Sequence, residues 1–160
     1  MVRRPRGAPR VRPLTVGQQA SYLRFSWPIL HCIVDGPQLI CTGPLKSTSI
    51  GDPYTVRIRY RPWRAPQVHV LSPELVSRSP DELIPHRYEG GALCLHFPKN
   101  REWRVDSRLD LTIIPWTVLW LFFYERWLEG DPWMGGGTDH LLRKAEPRNG
   151  TYTEERDAIE

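Results

Sequence analysis

The sequence predicts an α+β fold: a short helix, a four-stranded antiparallel meander, an extended loop and a long C-terminal helix. Three observations predict it. Four short apolar segments follow one another between Gly/Pro turns, which is typical of strands that pair with their chain neighbours. A strongly apolar segment, residues 111–124, comes later and suits a helix better than a strand. With 160 residues, 40% of them hydrophobic, the chain is long enough for one buried core.

The first helix is expected over residues 15–25. Thr15 is a residue type that caps helices through its side-chain oxygen. Val16, Ala20 and Leu23 recur at the spacing of one helical face. Trp27 precedes a proline and ends the segment.

Four strands are expected next, over residues 29–34, 39–43, 54–60 and 68–71. The turn at residues 35–37, Asp-Gly-Pro, separates the first two. The third strand alternates strictly, which predicts one buried and one solvated face. Its two sets of residues are Tyr54, Val56, Ile58 and Tyr60 on one face, and Thr55, Arg57, Arg59 and Arg61 on the other.

The apolar segment 111–124 is predicted to be a buried helix. A membrane span needs about 20 apolar residues, whereas this segment contains Pro115 and is followed by Glu125 and Arg126. Proline suits the first turn of a helix, and Gly130 suits its end. We therefore expect a helix from Pro115 to near Gly130 that covers one face of the meander, and no membrane partner.

Charge divides the chain into three expected parts. Residues 1–13 contain five arginines and no acid, so the rest of the chain carries about −1 of the net +4. We expect a flexible basic arm at 1–13, a domain at 14–143 that includes a short helical turn at 140–143, and a polar tail at 144–160. No nucleic-acid-binding signature accompanies the arm, and a solvated terminus is the favoured interpretation.

Three cysteines, an odd number, match no zinc spacing and follow no secretory signal. We therefore expect a reducing cytoplasm and free thiols. Cys32 and Cys41 lie in apolar strands and are expected to contribute packing only.

The candidate chemistry lies in residues 85–103, where Cys94 follows two adjacent glycines. Paired glycines allow positive φ, so Cys94 is expected to emerge from a tight turn within reach of substrates. At an ordinary pKa near 8.5, roughly 3% of a thiol is ionised at pH 7, so a reactive cysteine needs a nearby base or donor. His86 and His96 are the nearest imidazoles. The alternatives are a buried, inert cysteine and a zinc site formed by these three residues.

The order of these parts resembles the ubiquitin-conjugating fold over residues 15–128. Gly91 lies three residues before Cys94, His86 lies upstream and Trp103 follows, as in that family. The motif Cys94-Leu95-His96, together with the Trp-Met-Gly-Gly-Gly sequence at 133–137, is more similar to the sequences of bacterial members encoded in type II CBASS anti-phage operons.

The resemblance implies a cysteine-dependent acyl transferase without a cofactor. Cys94 would accept the C-terminal carbonyl of a partner as a thioester and pass it to an amine, such as a lysine of a target protein. In the CBASS relatives the acyl donor is a cGAS/DncV-like nucleotidyltransferase, and conjugation primes its synthesis of a cyclic-nucleotide signal.

One feature of the family is missing. The asparagine that stabilises the oxyanion has no counterpart, because Arg87 and Tyr88 follow His86. Tyr88, a backbone N–H of the glycine turn, or His96 must supply the donor. We interpret His96 as the base or orienting group and His86 as a loop anchor. The competing interpretation is an inactive module that keeps the fold as a docking platform.

Overall fold

A computed structural model describes residues 11–97 and 101–135 and confirms the α+β fold. Its four strands form one antiparallel sheet in the order β1-β2-β3-β4. The elements are α1 (Val16–Ser26), β1 (His31–Asp35), β2 (Gln38–Leu45), β3 (Tyr54–Tyr60), β4 (Gln67–Ser72) and α2 (Ile113–Leu128). Most of the basic arm, the helical turn expected at 140–143 and the polar tail lie outside the described residues.

Helix α1 begins at the residue that its cap predicts. The Thr15 hydroxyl accepts the N–H of Gln18 at 3.1 Å, and the Gln18 side chain accepts the N–H of Thr15 at 2.9 Å. This reciprocal pair satisfies two donors that the first turn leaves without helical partners. The buried face of α1 packs on the inner side of the sheet, and it includes Gln19, Ala20 and Leu23.

The meander has the predicted strands with shifted ends. β1 starts two residues later than expected because Leu30 turns back to donate its N–H to the carbonyl of Trp27. β2 extends through Pro44, which lies beyond the last partner in β1, so its missing N–H breaks no bond to that strand. The alternation of β3 is confirmed, with Tyr54, Val56, Ile58 and Tyr60 all buried.

Helix α2 starts at Ile113, two residues before the expected Pro115. Proline is accommodated because the N–H groups of the first turn have no helical partners. Gly130 follows the helix with φ 111°, as the sequence predicted. Tyr124 meets Tyr54 edge to face, and its hydroxyl accepts the N–H of Val76 and donates to the carbonyl of the same residue. α2 therefore fixes both the sheet and the loop that precedes the candidate site.

No helix among the described residues is long and apolar enough to cross a membrane. The expectation of a buried helix is met on the inner face of α2, where Ile113, Ile114, Leu121 and Trp127 are almost completely buried.

The expectation of free thiols is wrong for Cys32 and Cys41. The register of β1 and β2 places these residues directly opposite each other, with 4.1 Å between their Cα atoms, and they form a disulfide. Both are buried, so the bond lies within the core side of the sheet. Cys94 is not part of a disulfide.

Candidate active site

Cys94 ends a small hairpin formed by residues 86–94. The N–H of Tyr88 donates to the carbonyl of Ala92 at 2.8 Å, and the N–H of Cys94 donates to the carbonyl of His86 at 2.8 Å. The turn depends on Gly90 and Gly91, which have φ values of 94° and 86°. Residues with a Cβ rarely adopt this conformation, so the paired glycines are what allow the chain to reverse here.

Two other elements hold the hairpin in place. The N–H of Leu93 donates to the carbonyl of Val68 in β4 at 2.8 Å, so the hairpin continues the edge of the sheet. The indole N–H of Trp120 in α2 donates to the carbonyl of His86 at 3.1 Å. The backbone around the thiol is therefore fixed from both the sheet and the helix.

The Cys94 side chain is 5% exposed, so the expectation of an open thiol is wrong. Aromatic side chains from α2 and from the loop after α2 cover Cys94. These residues are far from Cys94 in the sequence, so the sequence did not predict this arrangement. Cys94 nevertheless borders two cavities, of about 80 Å³ and 310 Å³. Both are lined by Leu95, Trp116 and Leu119, and the larger one also by His96. Cys94 is therefore enclosed by side chains but lies beside open space.

Tyr88 is the side chain whose hydroxyl bonds to Cys94. Burial, this hydrogen bond and the charge of the ionised thiol raise the pKa of Tyr88 to about 12. The hydroxyl therefore keeps its proton at neutral pH and remains a hydrogen-bond donor beside the sulfur.

His96 lies against Trp116, with 6.0 Å between the ring centroids. Burial lowers the pKa of His96 below 6.5, although the nearby Glu102 carboxylate opposes the shift. The imidazole is therefore neutral at pH 7 and able to accept a proton. Its backbone carbonyl, at 3.8 Å, is the acceptor that the Cys94 thiol faces.

His86 occupies a different position from His96. It is 6% exposed, has φ 53° and stacks on Trp133 with 5.1 Å between ring centroids. Its carbonyl accepts from both Cys94 and Trp120. These contacts connect His86 to the hairpin, to α2 and to the loop that carries Trp133.

A metal centre is not supported by the geometry of the described residues. Within residues 11–97 and 101–135, no three His, Cys, Asp or Glu side chains are grouped as metal ligands. The zinc alternative for His86, Cys94 and His96 thus has no ligand cluster in this part of the chain.

The sequence did not predict that aromatic side chains line the site. Trp116 and Leu119 line both cavities at the thiol, and Trp133 and Phe123 line the smaller one. The only available signal was the number of tryptophans, seven in 160 residues, and it did not say which of them approach Cys94.

One family model matches most of the chain. It is described as "Type II CBASS E2 protein" and matches residues 19–141, a range that includes most of α1, the sheet, the Cys94 hairpin and α2. No curated protein matches the chain. Since the family model covers most of the chain, the protein belongs to the type II CBASS E2 family.

Proposed function

We propose that Cys94 carries the carboxyl terminus of a partner protein as a thioester and transfers it to an amine. The observation that carries this proposal is the position of the thiol, at the end of a rigid hairpin with the Tyr88 hydroxyl bonded to the sulfur. Membership of an E2-like family in CBASS supports a conjugating role within that defence system.

The chemistry needs an ionised thiol and an activated donor carbonyl. The Cys94 thiolate attacks that carbonyl carbon, a C–S bond forms, and the activating group leaves with the electron pair of its bond. The thioester remains electrophilic because sulfur donates weakly into the carbonyl. An amine then attacks the same carbon, an amide forms, and Cys94 leaves as the thiolate.

Three residues have assigned roles in these steps. Tyr88 donates a hydrogen bond to the thiolate and then to the oxyanion, and so replaces the missing family asparagine. His96, neutral at pH 7 because burial lowers its pKa, accepts the proton from the thiol or from the attacking amine. His86 positions the hairpin through its backbone carbonyl and its stacking on Trp133.

The acyl donor in this proposal is a cGAS/DncV-like nucleotidyltransferase. Its C-terminal carbonyl would be transferred to a lysine of a target protein, and conjugation would prime synthesis of the cyclic-nucleotide signal. The support is the family membership, which indicates that the chain works with other CBASS components.

Intact-mass analysis of the protein mixed with the nucleotidyltransferase and its activating enzyme tests the proposal. We expect an adduct with the mass of both chains that thiol reagents remove. Cys94→Ala should form none, and Cys94→Ser should trap an oxyester that resists thiols. The double variant Cys32→Ala/Cys41→Ala is the matched control, because it lacks the disulfide and should still form the adduct. An adduct with Cys94→Ala would exclude Cys94 as the carrier.

The second candidate is an inactive module that docks a partner. The 5% exposure of Cys94 favours it, because an enclosed thiol is often inert. Alkylation by iodoacetamide separates the candidates. An activated Cys94 should react at pH 7 faster than N-acetylcysteine, whereas an inert thiol should react more slowly.

A further inference from the structure

The outer face of the sheet carries a group of basic side chains, called here the outer cationic cluster. Arg57 and Arg59 lie on the solvent side of β3, opposite His69 and Gln67 of β4. The cluster continues into the turn after β3. Its members are Arg57, Arg59, Arg61 and Arg64, and His69 lies beside them.

The arginines of this cluster differ from the four arginines that form ion pairs among the described residues. The ion pairs of residues 11–97 and 101–135 use Arg78, Arg104, Arg108 and Arg126. No cluster arginine has a carboxylate partner among these described residues, and Arg61 bonds only the amide oxygen of Gln38. Glu89, at the tip of the hairpin, is the acidic residue that lines the adjoining cavity.

Among the described residues, two guanidinium N–H donors in and beside the cluster are buried without a partner. They are Nε of Arg57 and Nε of Arg87. Burial, followed by the charges of Arg57 and Arg59, lowers the pKa of His69, although a hydrogen bond to the backbone of Gly90 opposes the shift. Buried donors that lack acceptors and like charges that lie together both oppose folding, and a bound anion relieves both.

Two cavities join the cluster to the hairpin. The first, of about 430 Å³, is lined by Arg59, Arg61 and Arg64 together with Gln38, Ala65 and Gln67. The second, of about 440 Å³, shares Ala65 and Gln67 with it and continues past His69 and Tyr88 to His96. Leu95 and His96 also line the 310 Å³ cavity that contains Cys94. Neighbouring cavities thus share lining residues from the arginines to Cys94, and this series of cavities is called here the groove.

We propose that this groove binds an acidic segment of the acyl-donor protein, which rests on the proposed function. Carboxylates of the segment contact Arg59, Arg61 and Arg64, and the chain that follows passes His69 and Tyr88 and ends at Cys94. Guanidinium groups bind carboxylates in a bidentate manner, which suits Arg59, Arg61 and Arg64 because none of them pairs with a carboxylate among the described residues. A peptide is the favoured anion because the groove leads to a thiol that takes a peptide carbonyl.

Fluorescence anisotropy with the full chain tests the binding step. The probe is a fluorescein-labelled peptide with a series of glutamates before a glycine-rich C-terminus, and the matched probe has glutamines instead. We expect the glutamate peptide to bind at least about tenfold more tightly and to weaken as salt is raised. Equal binding of the two probes would overturn the proposal.

Two charge-reversed variants with the same net charge locate the site. Arg59→Glu/Arg61→Glu/Arg64→Glu should abolish the preference for glutamate. Three exposed basic residues away from the groove give the control Arg12→Glu/Lys46→Glu/Arg104→Glu. This control should keep the preference because the cluster is intact. Loss of the preference in both variants would refute a specific site, and circular dichroism verifies that each variant is folded.

Competition distinguishes the class of anion. Inorganic tripolyphosphate and a single-stranded oligonucleotide are added against the bound glutamate peptide. The proposal requires that neither binds more tightly than the peptide. Tighter binding of either would assign the cluster to a phosphate ligand and overturn the peptide assignment.

Thioester exchange tests the direction of the bound peptide. In this reaction Cys94 Sγ bonds to the C-terminal carbonyl carbon of a synthetic peptide thioester, and the original thiol leaves as a thiolate. The glutamate peptide thioester should acylate Cys94 at least about tenfold faster than the glutamine one. Equal rates would overturn the path to Cys94 while leaving acyl transfer itself intact, and absence of acylation by both would count against the proposed function instead.

Discussion

At the scale of single residues, the proposed chemistry depends on Tyr88 and Cys94. The Tyr88 hydroxyl bonds to the sulfur, and burial together with this bond raises the pKa of Tyr88 to about 12. In the proposed mechanism this donor stays protonated, stabilises the thiolate and then stabilises the oxyanion. Tyr88 would there take the place of the asparagine that this chain lacks.

Tyr88→Phe is predicted to slow acyl transfer by about 100-fold, because removal of one oxyanion donor has an effect of this order. It should also raise the pKa of Cys94, seen as a shift to higher pH in the alkylation profile. Single-turnover thioester formation measures the first effect. An unchanged rate in a folded Tyr88→Phe protein would assign the oxyanion to another donor.

The sequence predicted the candidate residues but not the side chains that surround them. Cys94, His86 and His96 were predicted because residue type and spacing are local properties. The exposure of Cys94 was predicted wrongly, because Trp116 and Trp133 approach from α2 and the loop beyond it. Burial depends on contacts between segments far apart in the chain, and no local pattern records them.

At the scale of elements, the hairpin at residues 86–94 determines where the fold places the thiol of Cys94. Gly91 has φ 86°, and a Cβ there would lie 2.9 Å from a terminal nitrogen of Arg87. Gly36 has φ 53° in the turn between β1 and β2 and open space around it. The two glycines therefore offer a matched pair, one at the site and one distant from it.

Gly91→Ala and Gly36→Ala are each predicted to destabilise the protein by about 1–2 kcal/mol, because a side chain is strained at positive φ. Only Gly91→Ala should also change the rate of Cys94 alkylation, since it distorts the hairpin. Thermal unfolding and mass-detected alkylation measure the two effects. Equal alkylation rates in the two variants would mean that the hairpin does not control the thiol.

The β1–β2 hairpin shows that a correct prediction of two strands can still miss the disulfide bond between them. The turn at residues 35–37 pairs Asp35 with Gln38, and counting outward from this pair places Cys32 opposite Cys41. The register of β1 and β2 could therefore have been predicted from the sequence. The expectation of free thiols was based on the assumed reducing cytoplasm. It is contradicted because Cys32 and Cys41, with 4.1 Å between their Cα atoms, form a disulfide.

At the scale of the whole molecule, buried polar groups tie α1 to the segment before α2. The Gln19 side chain bonds the carbonyl of Ser107 and the N–H of Leu109. Asp110, whose side chain is completely buried, accepts from Ser26 and from Arg108. Burial opposes ionisation of Asp110, but the bonds from Arg108 and Ser26 outweigh it and hold its pKa below 3.8.

Asp110→Asn is predicted to lower the free energy of unfolding at pH 7 by about 1–3 kcal/mol, because Arg108 loses its charged partner. Since folding lowers this pKa, the stabilisation is complete above the ordinary value of 3.8 and is lost as pH falls through the folded value. Denaturant unfolding at several pH values should show this acid-sensitive component in the natural protein and not in the variant.

The exposed pair of Arg104 and Asp106 provides the control for this prediction. Asp106→Asn should change stability less than Asp110→Asn, because solvent screens an exposed pair. Equal losses in the two variants would contradict a special role for the buried carboxylate.

The sequence by itself determined the helix cap at Thr15, the alternation of β3, the proline in the first turn of α2, and the glycine turn before Cys94. These features depend on backbone freedom and on the spacing of apolar residues, which are local. The tertiary structure alone decided the enclosure of Cys94, the bond from Tyr88 to the thiol and the groove that leads from Arg59 and Arg64. Each of these depends on side chains that only packing brings together, and packing is a property of the whole chain.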